Sequence, residues 1–153
     1  MRGLNSIVNE AIEIISAIKS FPISVVTAFR TDLMDLPLSD PTVAVGVDAV
    51  EFGTDKLSAY SGMSGDTAQF SVPVDVTLRA DIYLSSQFSG FASYDALTYI
   101  VNALFYSGTL TVAQIQCDKM HYDSTFMCTV LPVKIKLHDR ICGDTRGNYL
   151  NEL

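Results

Sequence analysis

The most constraining feature of this sequence is a run of fifteen residues, 70–84, in which apolar and polar side chains alternate without interruption. A period of two is typical of a β-strand with one buried face. At about 3.3 Å per residue the strand would reach roughly 50 Å, whereas a compact domain of this length is roughly 40 Å across. We therefore expect the strand to bend, break or extend beyond its domain. Because an exposed apolar edge invites another chain, the strand predicts a subunit of an assembly.

The composition indicates one folded domain with a hydrophobic core. Of the 153 residues, 48% are hydrophobic and only 18% are charged, which excludes a disordered chain or a coiled coil. The net charge of −7 argues against contact with nucleic acid or anionic lipid. The mean hydropathy of +0.27 is high for a small monomer and fits a subunit that buries surface against neighbours.

The sequence also predicts where the chain is made. Its apolar segments fall short of the roughly 20 residues that span a bilayer, so we expect no membrane contact. Glu10 and Glu13 interrupt the first apolar stretch, and a small-residue cleavage site is lacking, which argues against a secretory signal. We therefore expect synthesis in the cytosol and three reduced cysteines rather than a disulfide framework.

Periodicity divides the chain into two helices and five strands. Apolar steps of three and four predict helices over 4–18 and 91–105, the second capped by Ser93 and ended by Gly108. Alternating or β-branched residues predict strands over 23–30, 42–52, 70–84, 109–116 and 126–139. The glycine-rich stretch 53–69 is interpreted as a mobile loop and 121–124 as a turn.

This order predicts an α+β fold, with a largely antiparallel β-sheet, two helices packed on one face and a long protruding β-hairpin. Residues 1–140 would form the single domain and 141–153 a C-terminal arm. Pro73 and Pro132 occupy the polar side of two strands. Because proline cannot donate to a ladder, we expect both at edges, bulges or bends. Asp75 and Lys134 occupy matching positions near them and allow a cross-strand charge pair, although the likeness of the two strands is equally consistent with coincidence.

Common catalytic and nucleotide-binding motifs are absent from the sequence. One set of residues has ligand-like chemistry: Cys117, His121, Cys128, His138 and Cys142. Residues four apart in a strand are about 13 Å from each other, so zinc binding would require turns at both Cys–His pairs. We favour core and surface roles for these residues, and expect no metal, no cofactor and no catalysis. The two histidines are interpreted as solvated or paired with a nearby aspartate.

Aromatic residues surround the second helix: Phe91, Tyr94, Tyr99, Phe105 and Tyr106. They are interpreted as core or as a contact face against a neighbour, with a ligand pocket as the alternative.

The order of elements resembles that of a known family. An amphipathic helix is followed by a break at Phe21-Pro22, a strand Asp40-Pro41-Thr42-Val43-Ala44-Val45-Gly46-Val47, a glycine-rich hairpin loop, a strand Pro73-Val74-Asp75-Val76 and a helix beginning near Tyr94. Over most of the chain this layout resembles tail terminator and neck (tail completion) proteins of tailed bacteriophages and phage-tail-like bacteriocins. The resemblance implies a non-enzymatic protein that closes as a hexameric ring on the tail tube, stops its growth, and contacts the sheath or the head connector.

The resemblance also implies where the contacts lie. Contacts with the tube or an adjacent subunit would come from Tyr60, Gly62, Met63, Ser64 and Gly65. The C-terminal arm would reach a neighbour or the sheath, with Arg140, Arg146 and Tyr149 as contacts, and Pro73 and Pro132 are counted among the contact residues. An ordinary surface loop and a frayed terminus are the other interpretation. The ring would assemble in the bacterial cytoplasm and become part of a virion tail or phage-tail-like particle.

Two other functions stay open. Tube, baseplate and head-completion proteins also use antiparallel sheets and long hairpins, and they differ from a terminator in copy number. A small metal- or ligand-binding α+β domain, using His121, His138 and the cysteines, belongs to a different class, and bound zinc would indicate it.

Overall fold

The computed structural model describes residues 3–21, 23–27, 40–53, 60–85, 87–88 and 90–144. Within them the elements follow in this order: α1 (Leu4–Ser16), β1 (Ser24–Thr27), β2 (Thr42–Phe52), β3 (Tyr60–Ser64), β4 (Thr67–Ser85), α2 (Gly90–Tyr106), β5 (Thr111–Cys117), β6 (His121–Asp123), β7 (Cys128–Leu131) and β8 (Val133–Asp144). These eight strands form one sheet, in which β1 and β2 are parallel and the other pairs antiparallel. The predicted α+β class with a mostly antiparallel sheet is confirmed.

Strand β4 is the centre of the sheet and is paired along both of its sides. On one side β2 pairs with residues 74–83 and β3 with residues 67–70. On the other side β8 pairs with residues 69–79 and β7 with residues 82–85. The expectation that this strand needs another chain to cover its edges is therefore wrong. The long protruding hairpin is not confirmed, because β8 lies beside β4 at the end where β3 turns into it.

Pro73 lies inside β4, at the point where the neighbouring strand β2 ends. The backbone N–H of Gly53 donates to the carbonyl of Pro73 over 2.8 Å. Pro73 has no N–H with which to return this bond, so the β2 ladder stops after Phe52 pairs with Val74. Pro73 is therefore in the central strand rather than in an edge strand, but it faces a gap between β2 and β3, where no ladder bond requires its missing N–H.

Pro132 separates β7 from β8 without shifting their register on β4. Leu131 pairs with Ile82 and Lys134 with Arg79, so two residues lie between these pairs on each strand. Strands β5 and β6 lie along the outer side of β8 and β7. Pro132 is therefore not in an edge strand, and β7 and β8 act as one long neighbour of β4.

The stretch 53–69 is not one loop, which corrects a prediction from its glycine content. Residues 60–64 form β3, the turn lies at Gly65 and Asp66, and 54–59 fall outside the described residues. The predicted turn at 121–124 is instead the short strand β6, which at three residues shows no period of two. The turn follows it.

The ends of other elements also shift. Helix α2 begins at Gly90, so Ser93 lies inside its first turn, fully buried, and does not cap it. Strand β8 continues to Asp144, so residues 141–144 belong to the sheet rather than to an arm. Residues 145–153 lie outside the described residues, as do residues 28–30 of the first predicted strand.

One core holds both helices against a single face of the sheet. It includes the even-numbered side chains of β4 from Val74 to Leu84, each at most 1% exposed. The helices contribute Ile7, Ala11, Ile15, Ala96, Ile100 and Leu104. Full burial of one such aliphatic side chain stabilises a fold by about 1.5–3 kcal/mol, so the alternation of β4 fixes which face the helices cover. Helix α1 contacts β1, and α2 contacts β4 and β5, so the helices lie toward opposite edges of the sheet.

The close approach of Gly53 to Pro73 gives a stability prediction. A Cβ atom at Gly53 would lie 2.4 Å from Cγ of Pro73. We expect Gly53→Ala to lower the free energy of unfolding by about 1–3 kcal/mol, the usual cost of overpacking. The measurement is urea unfolding of the wild type and the variant.

The matched control for this prediction is the same substitution in a Pro73→Ala background, where the obstructing ring atoms are absent. There we expect Gly53→Ala to be neutral or to stabilise by up to about 1 kcal/mol, because alanine loses less backbone entropy than glycine in a strand. An equal loss in both backgrounds would contradict the contact.

Candidate interaction surfaces

The predicted contact residues Tyr60, Gly62, Met63, Ser64 and Gly65 form a hairpin with the start of β4 at one end of the sheet, called here the distal end. Gly62 and Gly65 have φ angles of 129° and 59°, which favour glycine. They allow the bulge after Tyr60 and the turn into β4. The side chains of Tyr60 and Met63 are 53% and 58% exposed. The hairpin thus presents apolar side chains to solvent.

Of the other predicted contact residues, Pro73 and Arg140 lie toward this end and Pro132 does not. Arg140 is opposite Pro73, and its guanidinium donates to Oγ and to the carbonyl oxygen of Ser71 over 2.8 and 2.9 Å. Arg140 therefore ties β8 to β4. Pro132 adjoins β7 at the opposite end of β4, and Arg146 and Tyr149 lie outside the described residues.

The apolar face of the sheet that carries the helices continues past them to the distal end. Directly opposite residues of an antiparallel pair point to the same face. Four exposed side chains lie opposite even-numbered residues of β4 and so share the helix-side face: Val47, Phe52, Tyr60 and Met63. These four define the distal apolar face: Phe52, Tyr60 and Met63 lie at or beyond the end of the helix-covered stretch, and Val47 lies beside that stretch, opposite Leu78. Val47 and Phe52 are not among the predicted contacts, and they share a face only because a bulge between Val47 and Ala49 shifts the register of β2.

Helix α2 presents a second exposed apolar surface. Its members, which define the α2 outer face, are Tyr94, Tyr99, Phe105 and Tyr106. Tyr106 is 86% exposed. An amphipathic helix usually carries charged residues opposite its buried face, yet among the 17 residues of α2 only Asp95 is charged. This scarcity of charge was already visible in the sequence, and it leaves the α2 outer face aromatic and almost uncharged.

An open groove of about 830 Å³ adjoins the α2 outer face, between the C-terminal parts of the two helices. Ile14 and Ile18 of the α1 side and Tyr99 and Tyr106 of α2 line it, with Lys19 at its rim. The ring of Tyr99 also contacts Phe21, with 5.7 Å between the centroids. The groove extends the apolar surface from α2 onto α1.

The opposite face of the sheet, the open face, carries charged side chains centred on Asp75. Nδ1 of His138 lies 2.5 Å from Oδ1 of Asp75, and Nζ of Lys136 lies 3.0 Å from Oδ2. The hydrogen bond with His138, followed by that with Lys136, lowers the pKa of Asp75. The contact with Asp75 in turn raises the pKa of Lys136. The predicted pair of Asp75 with Lys134 is wrong, since Lys134 pairs with Asp48 across 3.5 Å.

The cysteines and histidines are distributed over the four strands β5 to β8. Cys117 ends β5 and His121 begins β6. Cys142 is in β8, opposite Ser71 of β4. Within the described ranges, no three His, Cys, Asp or Glu side chains are close enough to hold a metal ion. The cysteines are free thiols, and Cys128 is buried beneath Tyr83 and Phe126.

Comparisons with known proteins do not identify a family. No protein-family model matches the sequence, and no curated protein is significantly similar to it. In the described part of the chain, no helix has both the length and the apolar character needed to cross a membrane.

The charge cluster on the open face gives a pH prediction. Asp75 has a lower pKa in the folded than in the unfolded chain, so its ion pairs stabilise the fold above the unfolded pKa, near 3.9. This stabilisation is lost as the pH falls below that value. We expect Asp75→Asn to lower the free energy of unfolding at pH 7 by about 0.5 kcal/mol, a small figure because solvent screens the pair.

Urea unfolding at several pH values checks this prediction, with Asp118→Asn, at an exposed position between β5 and β6, as the control. The difference between wild type and Asp75→Asn should vanish near pH 2. A difference that is equally large at pH 2 and pH 7 would contradict the assignment.

The cysteines give a reactivity prediction. Burial, with a smaller contribution from Asp123, raises the pKa of Cys128 to about 11, whereas Cys117 is exposed. The thiolate is the reactive form, so a thiol reagent at pH 8 should modify Cys117 first and Cys128 only after unfolding. Mass spectrometry of digested protein identifies the modified positions. Cys117→Ser should remove the fast phase, and rapid labelling of native Cys128 would show that the packing around it is wrong.

Proposed function

We propose that this chain is a non-catalytic structural subunit that forms a ring at the end of a phage or phage-like tail tube. The order of its elements, which resembles that of tail terminator and neck proteins, suggests this role. The observation that carries the proposal is the distal apolar face, since this surface continues the face that the chain's own helices cover elsewhere. Such a surface fits a subunit that is completed by its neighbours.

The apolar residues are concentrated in a way that favours assembly. The described residues expose ten large hydrophobic side chains, of which four lie on the distal apolar face and four on the α2 outer face. Isolated exposed hydrophobic residues are normal on any protein, whereas contiguous patches mark contacts. Two patches on one small chain provide the two contacts that each ring subunit requires.

The charged groups of the open face interact mainly with one another. Asp75 is bonded to His138 and Lys136, and Arg79 is bonded to Asp81 over 2.8 Å. The contacts of Asp75 join β4 to β8, and the Arg79–Asp81 pair joins two residues of β4. Their pairing supports a structural interpretation of the charged and histidine residues better than an acid–base one.

The proposed partners are other copies of the chain in a hexameric ring, the tube protein, and a sheath or head-connector protein. The hairpin from Tyr60 to Gly65 supplies contacts with an adjacent subunit or with the tube, and the segment with Arg146 and Tyr149 supplies those with the sheath or connector. Assembly takes place in the bacterial cytoplasm, and the product is part of a virion tail or phage-tail-like particle.

Removal of the gene from the bacterium that produces the particle tests the function. We expect tubes of irregular length, or tails that lack their completing structures, because nothing then stops the addition of tube subunits. Restoring the wild-type gene should restore uniform tails. The variant Met63→Asp should restore them at least about tenfold less well, whereas Met127→Asp, which alters an exposed methionine outside both patches, should act like wild type. Electron microscopy of purified particles measures tail length.

Copy number separates a terminator from the other tail components. Quantitative mass spectrometry of purified particles should find one ring of this chain per tail, against many rings of the tube protein. Equal abundance with the tube protein would contradict the terminator role and favour a tube subunit. Uniform, complete tails in the absence of the gene would contradict a tail role altogether.

A further inference from the structure

The sheet is longer than the helices that cover it. Helix α2, with 17 residues, is about 25 Å long, whereas the 19 residues of β4 extend roughly 60 Å when straight. The even-numbered side chains of β4 are buried from Val74 onward, but Ala68, Phe70 and Val72 are only half buried. One part of an apolar sheet face therefore lacks a helix.

Helix α2 exposes four aromatic side chains that have no sheet against them in the described part of the chain, with the polar residues Asp95, Thr98 and Asn102 between them. Helix α1 differs in having Glu10 and Glu13 among its residues. An apolar helix face and an apolar sheet face are the two layers that pack in α+β proteins. The distal end is thus a sheet face without a helix on it, and the exposed side of α2 is a helix face without a sheet on it.

The two surfaces lie toward different edges of the molecule. The distal apolar face belongs to β2 and β3, on one side of β4, whereas α2 contacts β4 and β5, and β5 lies on the other side. A two-fold contact would have to bring both patches of each copy into a single interface, which their positions toward different edges disfavour. The two patches can meet head to tail, which repeats from copy to copy and closes into a ring when the rotation allows.

Charge is sparse where a second copy would make contact. Two copies that each carry a net charge of −7 repel each other over most orientations. In α2 the only charged residue is Asp95, and Lys19 lines the adjoining groove. Asp66 lies exposed in the turn of the distal hairpin. Head-to-tail contact is therefore favoured where it brings Asp66 to Lys19 of the next copy and away from that copy's Asp95.

The exposed aromatic area of α2 is a substantial fraction of the area that a protein interface buries. Tyrosine and phenylalanine side chains each bury about 150–250 Å² when fully covered, and the four of the α2 outer face are between 37% and 86% exposed. Together they offer roughly 400 Å². This is about half of the 800 Å² that each partner contributes to a standard interface, before the groove is counted.

We infer that the α2 outer face of one copy packs on the distal apolar face of the next copy, head to tail. This inference deepens the proposed function and rests on it only for the conclusion that the oligomer is a closed ring. The neighbour's helix covers the part of the sheet face that the chain's own helices do not reach. Each copy uses two different surfaces, so a single damaged surface leaves the other competent.

The test uses two single variants of the whole chain. Tyr106→Asp damages the α2 outer face, and Met63→Asp damages the distal apolar face. Controls are Tyr122→Asp and Met127→Asp, which place the same charge on exposed residues of the same types outside both patches. Circular dichroism and thermal unfolding verify that every variant is folded. Sedimentation velocity, up to about 1 mM protein, measures assembly in a range where contacts with a millimolar Kd are half formed.

We expect the wild type and both controls to form closed oligomers. Each single variant should lose them, with an apparent dissociation constant at least about thirtyfold higher, as for a hot-spot residue. An equimolar mixture of Tyr106→Asp and Met63→Asp should form a one-to-one heterodimer and nothing larger. In that mixture, one intact distal face meets one intact α2 face, and both remaining surfaces are damaged.

Three results would overturn the inference. If the wild type stays monomeric over the whole concentration range, the contact does not form. If the two control variants lose assembly as much as the test variants do, the added charge alone explains the loss. If Met63→Asp still dimerises by itself and no heterodimer appears in the mixture, the contact is instead a two-fold pairing of α2 with α2.

These results are independent of the gene-deletion experiment. Head-to-tail assembly of the purified protein without any effect on tails would leave the interface standing and remove the tail function. If the tails are defective but the purified protein assembles through a different contact, the tail function stands and the proposed interface is wrong.

Discussion

Backbone pairing along both sides of β4 is the interaction on which the rest of this structure depends. Four strands pair with β4, two on each side. Two of the places where this pairing is interrupted coincide with a proline. Pro73 withholds the hydrogen bond that would extend β2, and Pro132 separates β7 from β8 without moving their register. Since one alternation runs through the whole of β4, it creates one apolar face that is longer than either helix. The uncovered end of that face is a direct consequence.

The two faces of the sheet differ: on one, charged side chains are paired within the chain, and on the other, apolar side chains are only partly buried by it. On the open face, charged residues meet partners of opposite charge from neighbouring strands, as Asp75 does with Lys136 and His138. On the helix-side face, burial is complete between Val74 and Leu84 and ends toward the distal end. The charges around Asp75 are therefore paired within the chain, whereas part of the apolar surface stays exposed. This division is the physical basis for the proposal that the protein is a structural subunit.

Sequence periodicity predicted the elements that are long and regular. Strand β2 agrees with its predicted bounds, and β4 exceeds the prediction by three residues at its start and one at its end. Periodicity contains no information about which strands pair, and so the edges of β4 were predicted to be open. Of the strands that cover them, β3 lies in a glycine-rich stretch that was predicted as a loop, and β7 and β8 were predicted as one strand over 126–139.

The surfaces were predictable in part. Tyr60 and Met63 were expected as contacts and are exposed, but Phe52 joins them only through the pairing of β2 with β4, which the sequence does not reveal. The scarcity of charge on α2 was visible from the start, although which aromatic residues face outward depends on how α2 packs.

A cryo-electron microscopy map of the purified oligomer tests the central claim most directly, because it locates each α2 relative to the adjacent copy. The account predicts that Phe105 and Tyr106 of every copy lie against Phe52, Tyr60 and Met63 of the next one around a closed ring. A map in which the α2 outer face is turned to solvent, or in which two α2 helices meet across a two-fold axis, would contradict it.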